Sequence, residues 1–237
     1  MSHSDLPGVV VTGAAGGIGA AVAREACARG HRVLALVHRS TSEPALNVPG
    51  IHVEVADVTR ESVSEAVVRG LAAAGISRVG ILVNAAGAVR HGTTLASTSA
   101  ESIMESLDVH CTGVMRVTRA CLPALLQAPR PVVLNLTSRH GSLSLAASGG
   151  VPGVPVSYSY RIAKAAQNML TACLHQELAP RVRFLAVHPG RVATAIAPAD
   201  ADRSPAVTAD QLLDLAENAP PEWSGRFLEP PATFLDW

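Results

Sequence analysis

Short β-branched apolar runs alternate along this chain with longer Ala-rich stretches of helical period, and no other feature narrows the possible folds as much. Such alternation is the pattern of βαβ units built around a parallel sheet. Val9 to Val11, Arg32 to Val37, Ile51 to Ala56, Ile81 to Val83, Val132 to Leu136 and Val182 to Val187 are the expected buried strands, with Arg226 to Leu228 a last candidate. Helices are expected near Ile18 to Arg29, Glu61 to Ala73, Ala100 to Gln127, Ser159 to Leu178 and Ala209 to Asn218. The last of these places Thr208 and Gln211 at capping-box spacing. Right-handed crossovers turn such a series into an α/β doubly wound parallel sheet with helices on both faces. Its ligand crevice lies beyond the carboxyl ends of the strands, so function is sought just after each strand.

Neither an internal repeat nor a long linker divides the 237 residues, so one domain over 1–237 is expected. Because 48% of residues are hydrophobic but only 3% aromatic, the core must be built from Ala, Val, Leu and Ile. Nineteen basic and nineteen acidic residues cancel, which argues against nucleic acid as a partner. Met1 to Gly8 is polar, with no signal-peptide pattern, and no apolar run is long enough for a bilayer; a cytoplasmic protein without a membrane partner is expected. Cys27, Cys111, Cys121 and Cys173 lack metal-ligand spacing and are expected to be small core thiols. The nine histidines form no metal motif, so no metal is expected.

Directly after the first strand comes Thr12-Gly13-Ala14-Ala15-Gly16-Gly17-Ile18-Gly19, leading into a helix. Glycine suits a tight turn, lets the backbone approach a pyrophosphate, and lets the helix start pack on the strand. The free N–H groups of that helix then face the phosphates. Gly-Ala turns also serve as plain connectors; the position between strand and helix at the head of the series favours a dinucleotide.

The spacing Gly13, Gly17, Gly19 is joined by Asp57-Val58-Thr59 after the third strand, Asn84-Ala85-Ala86-Gly87 after the fourth and Ser138 after the fifth. Tyr160-Arg-Ile-Ala-Lys164 lies on the next helix, and His188-Pro189-Gly190-Arg191-Val192-Ala193-Thr194 comes after the sixth strand. In this order the motifs resemble the short-chain dehydrogenase/reductase family over nearly the whole chain. Ser138 to Ser142, Tyr158 to Arg161 and the ending Ser224-Gly225-Arg226-Phe227 are similar to its C-factor/sniffer-like carbonyl reductase group. The resemblance implies a single-domain Rossmann-like fold and an NAD(P)-dependent enzyme. It places Gly13, Ala15, Gly16, Gly17, Ile18 and Gly19 under the cofactor, Asp57 at the adenine edge and Val58 beside the ring. Asn84, Ala85, Ala86 and Gly87 line the cleft, while Pro189, Gly190, Val192 and Thr194 cover the nicotinamide. Asp57 has a second reading as an N-terminal turn residue of the next helix.

An acidic residue at the end of the second strand would accept bonds from the ribose 2′-OH of NAD. Here the stretch is Leu36-Val37-His38-Arg39. A guanidinium at Arg39, assisted by His38, matches the 2′-phosphate of NADP, so NADP is expected over NAD. Against this stands Gly16, where many NADP-type relatives are basic. Arg39 as one more solvated surface charge is the competing account.

Tyr160 and Lys164 stand four apart on a helix, hence on one face, which Tyr158 does not share. A phenol titrating near 10 is a poor acid-base catalyst, but a neighbouring ammonium favours phenolate, and oxidised nicotinamide adds positive charge. By resemblance, Lys164 also bonds the nicotinamide ribose, Ser138 bonds the substrate oxygen and Tyr160 supplies the proton. An amphipathic surface pair is the bland alternative. Where relatives carry Asn on the long helix, this chain reads Val109-His110-Cys111-Thr112-Gly113. His110 is either a catalytic residue, holding a water or shuttling a proton at near-neutral pKa, or a hydrogen-bonded core histidine.

Twenty-one residues separate Ser138 from Tyr160. The Gly/Pro/Ser-rich segments 141–155 and 197–205 both fall after strands and are expected rim loops of a substrate pocket that also includes His91, with slack surface loop the competing reading. Apolar faces carrying Leu107, Val114, Val117, Leu122 and Leu125, and Met169, Leu170, Cys173 and Leu174, are either core stripes or, as in relatives, the seam of a homodimer or homotetramer. The expected activity is hydride transfer between NADP and the carbonyl or secondary alcohol of a small molecule. A non-redox isomerase, cyclase or dehydratase on the same fold and a dinucleotide-binding signalling protein are the rivals.

Overall fold

Alternate residues of each strand point to opposite faces of the sheet, and here both faces are apolar. In a computed structural model of the chain, describing residues 6–39, 46–89, 94–150, 156–194 and 201–237, every residue of β1 (Gly8–Thr12), β2 (Val33–Val37), β5 (Val132–Leu136) and β6 (Arg183–Val187) is buried. Strands covered on both sides are the mark of a parallel sheet flanked by helices. With β3 (Ile51–Val55), β4 (Val79–Asn84), β7 (Arg226–Glu229) and β8 (Thr233–Phe234) they form one eight-stranded sheet in the order β3-β2-β1-β4-β5-β6-β7-β8. All neighbours run parallel except β8, which is antiparallel to β7. The order reverses between β1 and β4, so the crevice opens where Thr12 and Asn84 end their strands side by side.

Val9, Val11, Ala35 and Leu134 pack against α1 (Gly17–Ala28) and α7 (Pro205–Asn218). On the other face, Val10, Leu34, Leu82 and Val133 meet α2 (Val63–Ala73), α4 (Gly113–Leu125) and the C-terminal end of α6 (Tyr158–Leu178). Phe184 and Phe227 are the buried phenylalanines in a core otherwise aliphatic, as the composition requires. Among the described residues no helix is long and apolar enough to cross a membrane.

The structure departs from the sequence reading at four places. The stretch expected as one helix from Ala100 is α3 (Ala100–Leu107), a π turn at Asp108–Thr112 and then α4. A π turn inserts one extra residue and so rotates α4 relative to α3, and this one contains His110. The last helix starts at Pro205, not near Ala209: Ser204 Oγ accepts from Val207 N at 3.2 Å, leaving Thr208 inside the helix and fully buried. Serine before a φ-restricted proline is a stronger start than the Thr208–Gln211 pair. The segment expected as a loop after Gly141 contains a short helix, α5 (Leu143–Ala147), capped by Ser142. Finally, Cys121 is a buried thiol as expected, but Cys27 and Cys111 are only half-buried and Cys173, on the outer side of α6, is exposed.

Candidate active site

The turn after β1 is shaped by close approach. Gly13 has φ +67°, and a Cβ there would lie 2.7 Å from Ala86 Cα; at Gly19 a Cβ would run into Gly13 O. Neither position admits a side chain without moving backbone. A Cβ at Gly17 (φ +54°) would lie 3.2 Å from the Thr194 methyl, whereas one at Gly16, which is extended, would meet nothing within 4 Å. Ala15, Gly16 and Gly17 are exposed, Ile18 is half-buried, and α1 begins without a side-chain cap or an acidic residue in its first turn. An uncapped helix start behind a cradle that a Cβ would fill suits a pyrophosphate. Thr12 Oγ1 closes the far side by accepting from Ala85 N (3.0 Å) and Ala86 N (2.9 Å).

Beyond β2 and β3 stand the groups expected at the adenosine end. Arg39 is exposed and makes no ion pair among the described residues. His38 Nε2 lies 3.6 Å from Asp57 Oδ2. Asp57 Oδ1 accepts from Thr59 N (2.9 Å) and Thr59 Oγ1 (2.7 Å). Burial pushes the Asp57 carboxyl up, but these bonds, with His38 and Arg60 nearby, outweigh it and hold it below the usual carboxylate range. Asp57 thus shapes the local turn, while α2 starts later, at Val63 after Ser62. Val58 packs near Gly113 of α4. Asn84 is an internal strut: its Nδ2 donates to Asn135 Oδ1 (2.9 Å) and Thr118 Oγ1 (3.3 Å), tying β4 to β5 and α4.

Ser138, Tyr160, Lys164 and His110 converge at the carboxyl end of β5, all buried. Gly141 makes this possible, because a Cβ there would lie 2.6 Å from the Lys164 carbonyl carbon; the turn carrying Ser138 is pressed onto α6. Ser157 caps α6 and accepts from Tyr160 N at 3.3 Å, setting the tyrosine in the first helical turn. Lys164 Nζ lies 5.6 Å from the Tyr160 ring centroid and donates to Leu136 O (2.7 Å) and Gln167 Oε1 (2.9 Å).

Burial raises the phenol to about 12, with an opposing hydrogen bond from Ser138, and lowers Lys164 to about 7. The expectation that the ammonium brings the phenol toward neutrality is therefore corrected for the protein without cofactor. Both groups are stripped of water, and two carbonyl oxygens engage the amine, so Tyr160 is held as a neutral phenol.

His110 is 3% exposed. Its Nε2 lies 3.1 Å from Ala88 O, its ring meets Tyr160 edge-on with centroids 5.4 Å apart, and its buried Nδ1 has no partner among the described residues. A Cβ at Gly87 would run into its Cε1, so that glycine makes room for the imidazole. Burial, and then the charge of Lys164, push its pKa down to about 3, far from the near-neutral value expected of a shuttle.

The segment after β6 folds over the cradle. Gly190 has φ +84° and faces the Arg203 guanidinium; Arg203 Nη1 donates to Pro189 O (3.4 Å) and Nη2 to Glu229 Oε1 (3.2 Å). Val192 bridges to Arg203, and Thr194 lies against Gly17. His91, and residues 151–155 and 197–200 of the expected rim loops, lie outside the described residues. Gln167 was not singled out from sequence, nor were the close packing at Gly141 and the guanidinium contacts of Arg203. Gln167 had a signal, three residues beyond Lys164 on the same helix face; the other two depend on partners remote in the chain.

A glycine cradle at the switch point of a doubly wound sheet, with Ser, Tyr and Lys gathered at the next strand ends, defines a nicotinamide-dinucleotide-dependent oxidoreductase. Residues 8–204 match the short chain dehydrogenase family model, and the chain belongs to that family. A 1-hydroxy-2-glutathionyl-2-methyl-3-butene dehydrogenase from Rhodococcus sp. is 32% identical over 97% of this chain and 99% of its own. The C-signal protein of Myxococcus xanthus is 32% identical over 67% of this chain and 93% of its own. An NADPH-bound carbonyl reductase from chicken fatty liver shares the fold with a TM-score of 0.87, at 23% identity over 98% of this chain and 99% of that one.

Proposed function

We propose that the protein transfers hydride between NADP(H) and the carbonyl carbon of a small ketone or aldehyde, or the matching alcohol. The observation that carries this is the convergence of Ser138, Tyr160 and Lys164 at the end of β5, with only β4 between them and the glycine cradle after β1. Gly13, Ala15, Gly16, Gly17, Ile18 and Gly19 hold the pyrophosphate, and Asp57 and Val58 lie at the adenine. Asn84, Ala85, Ala86 and Gly87 form the floor, and Pro189, Gly190, Val192 and Thr194 the cover. Bound there, reduced nicotinamide supplies the hydride.

Ser138 Oγ donates to the substrate oxygen, and Tyr160 Oη delivers its proton to that oxygen as the carbon accepts the hydride. The product is the alcohol, and the phenolate left behind is stabilised by Lys164 and the positive nicotinamide. Lys164 also holds the nicotinamide ribose. His110 stays neutral and fixes the Tyr160 ring through their edge contact.

Arg39 is exposed and available at the end of β2, which supports NADP over NAD; the NADPH complex of the chicken carbonyl reductase supports it too. The Rhodococcus relative, a dehydrogenase of a hydroxylated glutathionyl butene, supports an alcohol of a small organic molecule as substrate. Segments 141–155 and 197–205 form the pocket rim within a single domain. Exposed Met104, Met115, Ile162 and Met169 on α3, α4 and α6 form a face for a second copy, in a homodimer or homotetramer. Sedimentation or light scattering reads that state. NADPH oxidation with a panel of aldehydes and ketones tests the activity. Turnover without change in nicotinamide absorbance would instead support a non-redox enzyme, and binding without any turnover a signalling protein.

A further inference from the structure

We propose that Gln167 is a positioning residue, which orients the Lys164 amine for its work beside Tyr160; this rests on the proposed role of Lys164 in hydride transfer. Gln167 is 1% exposed, and its side chain enters the layer between α6 and the sheet, where an unsatisfied amide is costly. Its Oε1 accepts from Lys164 Nζ at 2.9 Å, while Leu136 O takes a second proton at 2.7 Å. An ammonium has three tetrahedrally arranged N–H donors, so fixing two fixes the direction of the third. The Leu136 carbonyl is a main-chain acceptor set by β5, and sequence cannot tune it. Gln167 supplies the tunable one.

The chemistry of an amide suits this place. Leucine of similar size would leave the buried cation one acceptor short. Glutamate would neutralise it in an ion pair and draw it away from the phenol. The amide dipole holds the cation without cancelling its charge. Titratable neighbours are Tyr160 on the same helix and His110 from the π turn. Glu101 and Glu105 on α3, Asp108 on the π turn, and Arg139 and His140 on the turn after β5 belong to elements packed on α6. None of them contributes to the shift of Lys164, which burial causes.

The test uses the full chain with wild-type, Gln167→Leu and Gln167→Glu proteins. Lys164 Nζ is titrated by ¹⁵N NMR, and kcat and KM for NADPH-dependent carbonyl reduction are measured from pH 5.5 to 10. In Gln167→Leu the Nζ titration and the alkaline limb of kcat move toward acid by about one pH unit, the loss of one charge-assisted bond. In Gln167→Glu, which keeps the shape should the leucine variant fail to fold, both move toward alkali while kcat falls. Unmoved titrations in the folded variants, whatever happens to thermal stability, overturn the proposal. Tyr160→Phe run alongside separates the two readings. Wild-type turnover in that variant defeats the catalytic assignment, whereas an inactive Tyr160→Phe with an unmoved Nζ titration defeats only the role of Gln167.

Discussion

The imidazole of His110 stands edge-on to the Tyr160 ring, centroids 5.4 Å apart and planes at 89°. The contact joins the π turn to the first turn of α6, and the Ala88 carbonyl holds the histidine from behind. A neutral imidazole with its one proton directed at Ala88 O has none to give at physiological pH. His110→Phe should therefore keep the edge contact and most of kcat, while His110→Ala, which frees the Tyr160 ring, should lower kcat about tenfold or more. Steady-state kinetics of the two variants read the difference.

Acid should weaken the fold by a definite route. His110 and His188 both titrate near 3 in the folded protein against 6.5 in the free side chain; burial is the main cause for each, aided by Lys164 for the first and Arg139, His140 and Arg203 for the second. Between those values the unfolded chain binds protons that the folded chain does not, so stability falls as pH drops below 6.5. At pH 5 each histidine should remove about 2 kcal/mol. Urea unfolding at pH 5 and 7 should show a smaller acid loss in His188→Asn than in the parent protein.

Two glycines of the cradle should behave differently. Gly13→Ala puts a methyl into the Ala86 backbone at positive φ and should abolish NADPH binding and reduce the melting temperature. Gly16→Ala points into open space from an extended backbone and should leave the melting temperature nearly unchanged, so any loss of NADPH binding in it reports crowding of the pyrophosphate itself. Fluorescence titration with NADPH and thermal melts check the pair.

Coenzyme choice should depend on Arg39. Arg39→Asp replaces a phosphate donor with a ribose acceptor, and the KM for NADPH should rise about 10- to 100-fold while that for NADH falls. Unchanged coenzyme constants would make Arg39 a solvated surface charge.

Asp236 and Trp237 brace the start of α5, in the segment proposed as the pocket rim. Ser142 Oγ donates to Asp236 O at 2.7 Å, Ser144 N and Oγ donate to Trp237 O at 2.9 and 2.7 Å, and Trp237 stacks on Phe227. Removing residues 236–237 should loosen α5 beside Ser138, raising KM for the carbonyl substrate several-fold with KM for NADPH unchanged.

Buried parallel strands were legible because a strand covered on both faces must be a β-branched apolar run; β2 and β5 match their expected runs to within a residue. The cradle was legible because its glycines are demanded within the turn itself, by the positive φ of Gly13 and by Gly19 against the Gly13 carbonyl. Environment was not. The pKa of His110 is lowered by burial and then by Lys164, against a carbonyl 22 residues earlier, and the Lys164 amine is itself engaged by Leu136 O. Those partners meet only through the sheet, and no spacing in the chain announces them.

The central claim is that Tyr160 delivers the proton. Tyr160→Phe keeps the ring and its packing and removes only the hydroxyl. Its kcat for NADPH-dependent carbonyl reduction should fall by about 10²- to 10⁴-fold with NADPH affinity unchanged; reduction at the parent rate by this variant would contradict the account.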